Sequence, residues 1–128
     1  MADVMKKVQE ITSLMMGGVT KEEKELIIKA YEFAELAHEG QKRLSGEPYF
    51  IHPFETAKIL ASFGMDTQTI ISGLLHDVLE DTKIKEKELE ERFGSEVLFL
   101  VNGVTKLGTL KYRGNERYVE SLRKFFMA

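Results

Sequence analysis

Residues 70–81 read IISGLLHDVLED, an apolar run that ends in a cluster of polar and charged side chains. The apolar residues recur at helical spacing, so the stretch predicts a helix. In that helix His76 and Glu80 lie one turn apart on one face. Asp77 and Asp81 lie one turn apart on the adjoining face. The sequence therefore predicts an apolar helix whose C-terminal end gathers four polar side chains.

Those four side chains could hold a metal ion. Burying an aspartate without a partner would cost several kcal/mol, and a divalent cation would offset that cost. A set of imidazole and carboxylate groups suits a transition metal such as manganese, iron or zinc. The alternative is that the helix simply ends here, with the carboxylates in water and His76 an ordinary half-buried histidine. The spacing alone leaves both interpretations open.

A second histidine, in another segment, favours the metal interpretation. His52 stands directly before Pro53, at a predicted helix start, where it can point into the helical bundle. His52, His76 and Asp77 would then be three ligands from two segments. Taken by itself, His52 could instead cap the helix or lie on the surface. His38 lies near the end of a helix, where a cation interacts well with the helix dipole, and we assign it no role in the site.

The rest of the chain also predicts helices, most of them ended by glycine. Thr20 and Glu23 have the spacing of a capping box. Asp66 and Ser95 stand where each can cap a later helix. The predicted helices cover residues 4–15, 20–40, 53–64, 66–81, 85–93, 95–104 and 115–128. Residues 40–51 and 108–114 do not fit a helix, and we find no alternating strand pattern. The chain is therefore predicted to be one all-α domain.

Composition excludes several classes of protein and of site. The 128 residues include no cysteine, so a metal site must use histidine, aspartate and glutamate. The net charge of −3 is not that of a strongly basic nucleic-acid binder. No apolar run approaches the roughly 20 residues that span a bilayer, and the N-terminus lacks the apolar stretch of a signal peptide. We expect a cytoplasmic domain that binds neither nucleic acid nor membranes directly.

A second polar segment, residues 41–49, reads QKRLSGEPY. The guanidinium of Arg43 can stack on a base or bind a phosphate through two hydrogen bonds. Ser45 and Gly46 offer a hydroxyl and an unhindered backbone N–H. From composition alone, a solvated turn is the simpler interpretation of this segment.

Ordered motifs after about Thr20 resemble the N-terminal hydrolase domain of RelA/SpoT homologues, enzymes that degrade the alarmone (p)ppGpp. The matching segments recur in the family's order and spacing. They are residues 37–41, 43, 45–49, 52–53, 74–82, 93–94, 103–107 and 122–124. The resemblance implies the helical bundle of the HD superfamily.

The resemblance also implies a site with one Mn²⁺ ion. His52, His76 and Asp77 match three of the family's metal ligands. Glu80 and Asp81 match the acidic pair that positions or deprotonates the attacking water. Members of the family that only synthesise the alarmone lack these His-Asp and Glu-Asp residues, whereas this sequence keeps them.

The same resemblance assigns two residues of this second segment to nucleotide binding. Arg43 matches the residue that stacks on guanine, and Ser45 matches another position in the nucleotide pocket. The implied substrate is ppGpp or pppGpp. Hydrolysis of its 3′-pyrophosphate ester would give pyrophosphate and GDP or GTP.

The sequence departs from the family pattern at two points. Leu44 stands where many members carry lysine, so one positive charge near the phosphates is absent. The family takes its last metal-ligating aspartate from a Lys-Leu-Ala-Asp-Arg-Leu-His-Asn segment, which this sequence lacks. We therefore expect residues 1–128 to be a partial hydrolase domain, incomplete at its C-terminal end, whose parent protein adds synthetase and regulatory domains. We expect weak Mn²⁺ binding and little activity from this chain.

Two other functions remain open. One is an HD-type phosphohydrolase that acts on a different nucleotide, although the segment of residues 43–49 belongs to the alarmone branch. The other is a regulatory HD domain without turnover, although the intact Glu80 and Asp81 argue against degeneration.

Overall fold

The computed structural model describes residues 2–42, 46 and 48–112, with side chains described for those among residues 3–103. Within them the chain forms seven helices, which confirms the predicted all-α fold class. They are α1 (Ala2–Thr12), α2 (Lys21–Ala37), α3 (Ile51–Ser62), α4 (Thr67–Leu75), α5 (Val78–Asp81), α6 (Glu86–Phe93) and α7 (Ser95–Tyr112). Lys42 and Pro48 form an isolated antiparallel bridge. In the described part, no helix is both long and apolar enough to cross a membrane.

Side chains cap two of the helices, as the sequence predicts. Thr20 Oγ1 accepts a hydrogen bond of 3.1 Å from the Glu23 amide, and Glu23 Oε1 accepts one of 3.1 Å from the Thr20 amide. The second oxygen of Glu23 accepts a hydrogen bond of 2.5 Å from the Thr67 hydroxyl, in the first turn of α4. Asp66 Oδ1 accepts one of 2.9 Å from the Thr69 amide. The starts of α2 and α4 are therefore fixed to each other.

Helix α4 forms the centre of the core. It packs against α2, α3 and α7. Four of its apolar side chains, Ile70, Ile71, Leu74 and Leu75, are fully buried. Residues 70–75 are all buried, so α4 is enclosed on every side over this stretch. Because α4 is held on several sides, the residues at its C-terminal end have a fixed position.

Besides shifts of up to three residues at the ends of α1, α2 and α3, three details differ from the predicted helices. The helix predicted for residues 66–81 is divided, because α4 ends at Leu75 and α5 begins at Val78. His76 keeps helical angles, whereas Asp77, at φ −96° and ψ −3°, departs from ideal helical geometry. Ser95 is the first residue of α7 and does not precede it.

The third difference concerns residues 108–114, of which 108–112 are helical and belong to α7. A single glycine costs a helix only about 1 kcal/mol relative to alanine, and residues 108–112 contain no proline. The glycine at position 108 was therefore too weak a signal to end the helix. The helix predicted from residue 115 lies outside the described residues.

Candidate metal centre

Helix α3 and the α4–α5 junction bring three metal-binding side chains together. One donor atom from each of His52, His76 and Asp77 lies within 4.8 Å of the other two. The two histidine Nε2 atoms are 3.2 Å apart. Asp77 Oδ2 is 3.1 Å from Nε2 of His76 and 3.5 Å from Nε2 of His52. The three residues that the sequence singles out as metal ligands are therefore adjacent in space.

Gly73 lies at the contact between α3 and α4. A Cβ atom at Gly73 would lie 2.6 Å from Leu60 Cδ1 and 3.5 Å from Thr56 Cγ2. Thr56 lies one turn after His52 and donates a hydrogen bond of 3.0 Å to the His52 carbonyl oxygen. His76 follows Gly73 by three residues, almost one turn. The close packing of the two helices therefore sets the two imidazoles side by side.

A backbone contact orients the imidazole of His76. Its Nδ1 lies 2.6 Å from the carbonyl oxygen of Gly73, which can only accept a hydrogen bond. Nδ1 therefore carries the proton, and in the neutral ring the lone pair of Nε2 faces His52 and Asp77. Metal-binding histidines commonly donate their second nitrogen to a carbonyl or carboxylate in this way.

Electrostatic interactions keep Asp77 ionised. Burial favours its neutral form, but hydrogen bonding and charge interaction with His76 and a hydrogen bond from Tyr49 outweigh burial and lower the pKa of Asp77. Burial likewise opposes the charged form of His76. The hydrogen bond and negative charge of Asp77, with the carbonyl of Gly73, overcome it and raise the pKa of His76. A negative carboxylate thus stands beside two imidazoles.

The three donors fit a divalent transition-metal ion. Bonds of about 2.1 Å to such an ion place ligand atoms about 3.0 Å apart at right angles and about 3.4 Å apart at tetrahedral angles. The separations of 3.1, 3.2 and 3.5 Å between the donors lie close to that range. Two imidazole nitrogens and one carboxylate oxygen form the donor set that such ions prefer.

The predicted acidic pair lies one turn further on, in α5. Partial burial, followed by the negative charges of Asp81 and Asp77, raises the pKa of Glu80. Asp81 Oδ2 accepts a hydrogen bond of 2.7 Å from the Tyr49 hydroxyl. Its backbone carbonyl oxygen accepts one of 2.6 Å from Gln41 Nε2. The Tyr49 hydroxyl thus connects Asp81 to the three donors, and the exposed Glu80 precedes Asp81 in α5.

Comparison with known proteins places this site in a family. The sequence matches the HD domain family over residues 30–128. The chain belongs to the HD domain family. HD domains are metal-dependent, which agrees with the His-His-Asp cluster described above.

Relatives of this HD domain include enzymes of alarmone metabolism. The guanosine-3′,5′-bis(diphosphate) 3′-pyrophosphohydrolase of Aquifex aeolicus is 52% identical over 81% of the chain. The GTP pyrophosphokinase of Myxococcus xanthus is 46% identical over 81%, and the bifunctional (p)ppGpp synthase/hydrolase SpoT of Escherichia coli is 41% identical over 94%. The resemblance to RelA/SpoT homologues is therefore confirmed. The chain spans 15%, 14% and 17% of the lengths of these three relatives.

The predicted nucleotide contacts of the HD domain, Arg43 and Ser45, lie outside the described residues, as does Leu44. The residues on either side of them are described. The Tyr49 amide donates a hydrogen bond of 3.0 Å to the Gln41 carbonyl oxygen, and Lys42 pairs with Pro48. The two ends of this segment therefore meet beside the acidic pair.

Sequence reasoning gave no site role to three residues that touch the site or support it. The Tyr49 hydroxyl lies within hydrogen-bond distance of both aspartates and shares its one proton between them, and Gln41 donates to the backbone of Asp81. His38 does lie at the end of α2, as predicted, but its side chain is almost fully buried and contacts Gln41 and Tyr49. The signal that could have pointed to these three residues was the tyrosine that stands three residues before the predicted ligand His52.

Proposed function

We propose that this HD domain hydrolyses guanosine 3′,5′-bis(diphosphate), ppGpp, and its 5′-triphosphate form, pppGpp. The products are pyrophosphate and GDP or GTP. The observation that carries the proposal is the convergence of His52, His76 and Asp77 beside the acidic pair Glu80 and Asp81. The name of the Aquifex aeolicus relative states this activity for that protein, which supports the choice of substrate.

The proposed cofactor is one Mn²⁺ ion held by His52, His76 and Asp77. When bound, such an ion polarises a phosphoryl oxygen and makes water easier to deprotonate. The aspartate expected as a fourth protein ligand, from a later segment, stays a prediction.

Glu80 is the proposed acceptor of a proton from the attacking water. Its raised pKa moves the carboxylate toward neutral pH, where a general base works best. The water oxygen bonds to the phosphorus attached to the ribose 3′ oxygen, the bond between that phosphorus and the 3′ oxygen breaks, and a proton passes to the 3′ oxygen. Asp81, held by Tyr49 and Gln41, helps to orient the water.

Guanine recognition belongs to the same proposal. Arg43 is proposed to stack on the base, and Ser45 is proposed to line the nucleotide pocket. Residues 1–128 are proposed to be part of a hydrolase domain in a larger cytoplasmic protein that also carries synthetase and regulatory domains. This view is supported by the lengths of the three relatives, because the chain spans only 14–17% of each.

A second candidate function is that of a regulatory HD domain without turnover. It is favoured by relatives named GTP pyrophosphokinase, in Myxococcus xanthus and in Streptomyces coelicolor, at 46% and 47% identity. The two candidates differ in what they require of Glu80. A regulatory domain has no need of a proton acceptor beside the metal ligands, whereas a hydrolase does.

The test is the fate of ppGpp in the presence of Mn²⁺ and the purified protein that carries this domain. Wild-type protein should release equal amounts of GDP and pyrophosphate. Glu80→Gln should lower kcat by about 10²–10⁴-fold and leave Mn²⁺ affinity within about twofold, because an amide cannot accept the proton. Chromatography of the nucleotides and a pyrophosphate assay measure the products.

Glu91→Gln is the matched control, because Glu91 is an exposed glutamate of α6. It should leave kcat unchanged. Near-normal turnover by Glu80→Gln would remove Glu80 from the mechanism. A wild-type protein that binds Mn²⁺ and ppGpp without releasing pyrophosphate would favour the regulatory function.

A further inference from the structure

The Tyr49 hydroxyl joins two acidic side chains of different predicted roles. It lies 2.9 Å from Asp77 Oδ2, on a predicted metal ligand, and 2.7 Å from Asp81 Oδ2, in the predicted acidic pair. Two carboxylates this close repel each other unless a donor or a cation stands between them. A phenolic hydroxyl supplies such a donor without adding charge.

A buried histidine holds the ring of Tyr49 in place. The rings of His38 and Tyr49 are stacked, with centroids 4.9 Å apart and an interplanar angle of 28°. The side chain of His38 is 2% exposed. On its other side Tyr49 packs edge to face against His52, at 6.4 Å between centroids. The tyrosine ring therefore packs between His38 at the end of α2 and His52 at the start of α3.

Gln41 makes a second connection from the same segment to α5. Its Nε2 donates a hydrogen bond of 2.6 Å to the Asp81 carbonyl oxygen, and its Oε1 lies 3.0 Å from His38 Nδ1. Because the Asp81 carbonyl oxygen can only accept, Nε2 of the amide must face it, and Oε1 is left to accept from Nδ1 of His38. Helix α5 has only four residues, too few to be stable without tertiary contacts.

We propose that Tyr49 is a positioning residue that sets the acidic pair against the metal ligands, with Gln41 and His38 as its support. The Tyr49 hydroxyl contacts the carboxylates of both Asp77 and Asp81, whereas the side-chain amide of Gln41 donates to the backbone carbonyl oxygen of Asp81. The proposal rests on the proposed metal-dependent hydrolysis. The proposal predicts that loss of the Tyr49 hydroxyl and loss of the Gln41 side chain have different effects on Mn²⁺ affinity. A general loss of folding would not produce this difference.

The test compares Tyr49→Phe and Gln41→Ala in the protein that carries this domain. Tyr49→Phe keeps the ring on His38 and removes only the hydroxyl. Its Mn²⁺ affinity, by calorimetry without nucleotide, should fall about tenfold, and kcat at saturating Mn²⁺ should fall at least about tenfold with little change in KM. Gln41→Ala should lower kcat several-fold and leave Mn²⁺ affinity within about twofold.

Tyr31→Phe, the same change at a core tyrosine that packs against Phe50 and Phe54, is the matched control. It should alter neither Mn²⁺ affinity nor kcat. If Tyr49→Phe binds Mn²⁺ as tightly as the wild type, Tyr49 does not position Asp77. If both site variants keep the wild-type kcat, the contacts of Tyr49 and Gln41 do not position Asp81. If the wild-type protein does not hydrolyse ppGpp, the proposed function fails, and the Mn²⁺ affinities still decide whether Tyr49 positions the metal ligands. If Tyr49→Phe does not fold, the kcat and Mn²⁺ affinity of Gln41→Ala decide the proposal.

Discussion

At the residue scale, His76 and Asp77 stabilise each other's charged forms. Burial opposes both charges, but their mutual contact outweighs it, so the pKa of His76 is raised and that of Asp77 is lowered. In the metal-free protein the pair therefore contributes fully to stability between the ordinary pKa values of 3.8 for Asp77 and 6.5 for His76. That contribution is lost as the pH falls through the folded-state pKa of Asp77. It is also lost as the pH rises through the folded-state pKa of His76.

Asp77→Asn should accordingly lower the unfolding free energy of the metal-free protein by about 1–3 kcal/mol at about pH 5.5, since a charge-assisted contact becomes a neutral one. The difference should shrink as the pH rises past the folded-state pKa of His76, because His76 is then neutral in both proteins. Urea unfolding at a series of pH values, with chelator present, measures it. A difference that is constant from pH 5 to 9 would contradict the assigned pairing.

The closeness of the three proposed ligands could be predicted from the sequence, whereas the contacts of Tyr49 around them could not. His52, His76 and Asp77 stand in two short motifs whose order and spacing resemble those of the RelA/SpoT family. The contact between Tyr49 and Asp77 joins residues 28 positions apart. It depends on where the segment after α2 returns to the bundle, which local spacing does not determine.

At the scale of the elements, the capping box at the start of α2 links two helices. Thr20→Ala should lower the unfolding free energy by about 1 kcal/mol, because the Glu23 amide loses its acceptor. Chemical denaturation at pH 7 measures the loss. Thr20→Ser, which keeps the hydroxyl, is the control and should restore most of the stability. An alanine variant as stable as the wild type would show that the box contributes nothing to the fold.

The same element predicts a pH dependence. Hydrogen bonds from Thr67 and then from Thr20 lower the pKa of Glu23 below its ordinary 4.5. Stability from this carboxylate is therefore present above that value and is lost as the pH falls through the folded-state pKa. A Glu23→Gln variant should therefore be less stable than the wild type at neutral pH and equally stable in acid. Thermal unfolding at both pH values measures the difference.

The caps at Thr20 and Asp66 were predictable because each involves residues within three positions of each other, whereas the cap predicted at Ser95 was wrong. The division between α4 and α5 could not be predicted, because the apolar spacing continues across it and only the backbone angles of Asp77 depart from the helix. The extension of α7 past Gly108 escaped prediction for a related reason, since a lone glycine weakens a helix without ending it.

At the scale of the whole molecule, α4 connects the core to the site. Leu74 is fully buried in the helix that packs against α2, α3 and α7. Leu74→Ala should cost about 2–5 kcal/mol, a large part of the stability of a domain of this size. Urea unfolding measures the cost. Exposed Leu36→Ala is the control and should change stability little. A cost below about 1 kcal/mol for Leu74→Ala would mean that α4 is not the centre of the core.

The most direct test of the central claim is a titration of this 128-residue chain with Mn²⁺. The electron paramagnetic resonance signal of the free ion measures how much Mn²⁺ stays unbound at each step. Three preformed donors predict one ion per chain, bound weakly if a fourth ligand is supplied elsewhere. His76→Ala should remove this binding, whereas Glu91→Gln, at an exposed position of α6, should leave it unchanged. Binding that is unchanged in His76→Ala, or several equivalent ions per chain, would contradict the assignment of His52, His76 and Asp77 as the metal centre.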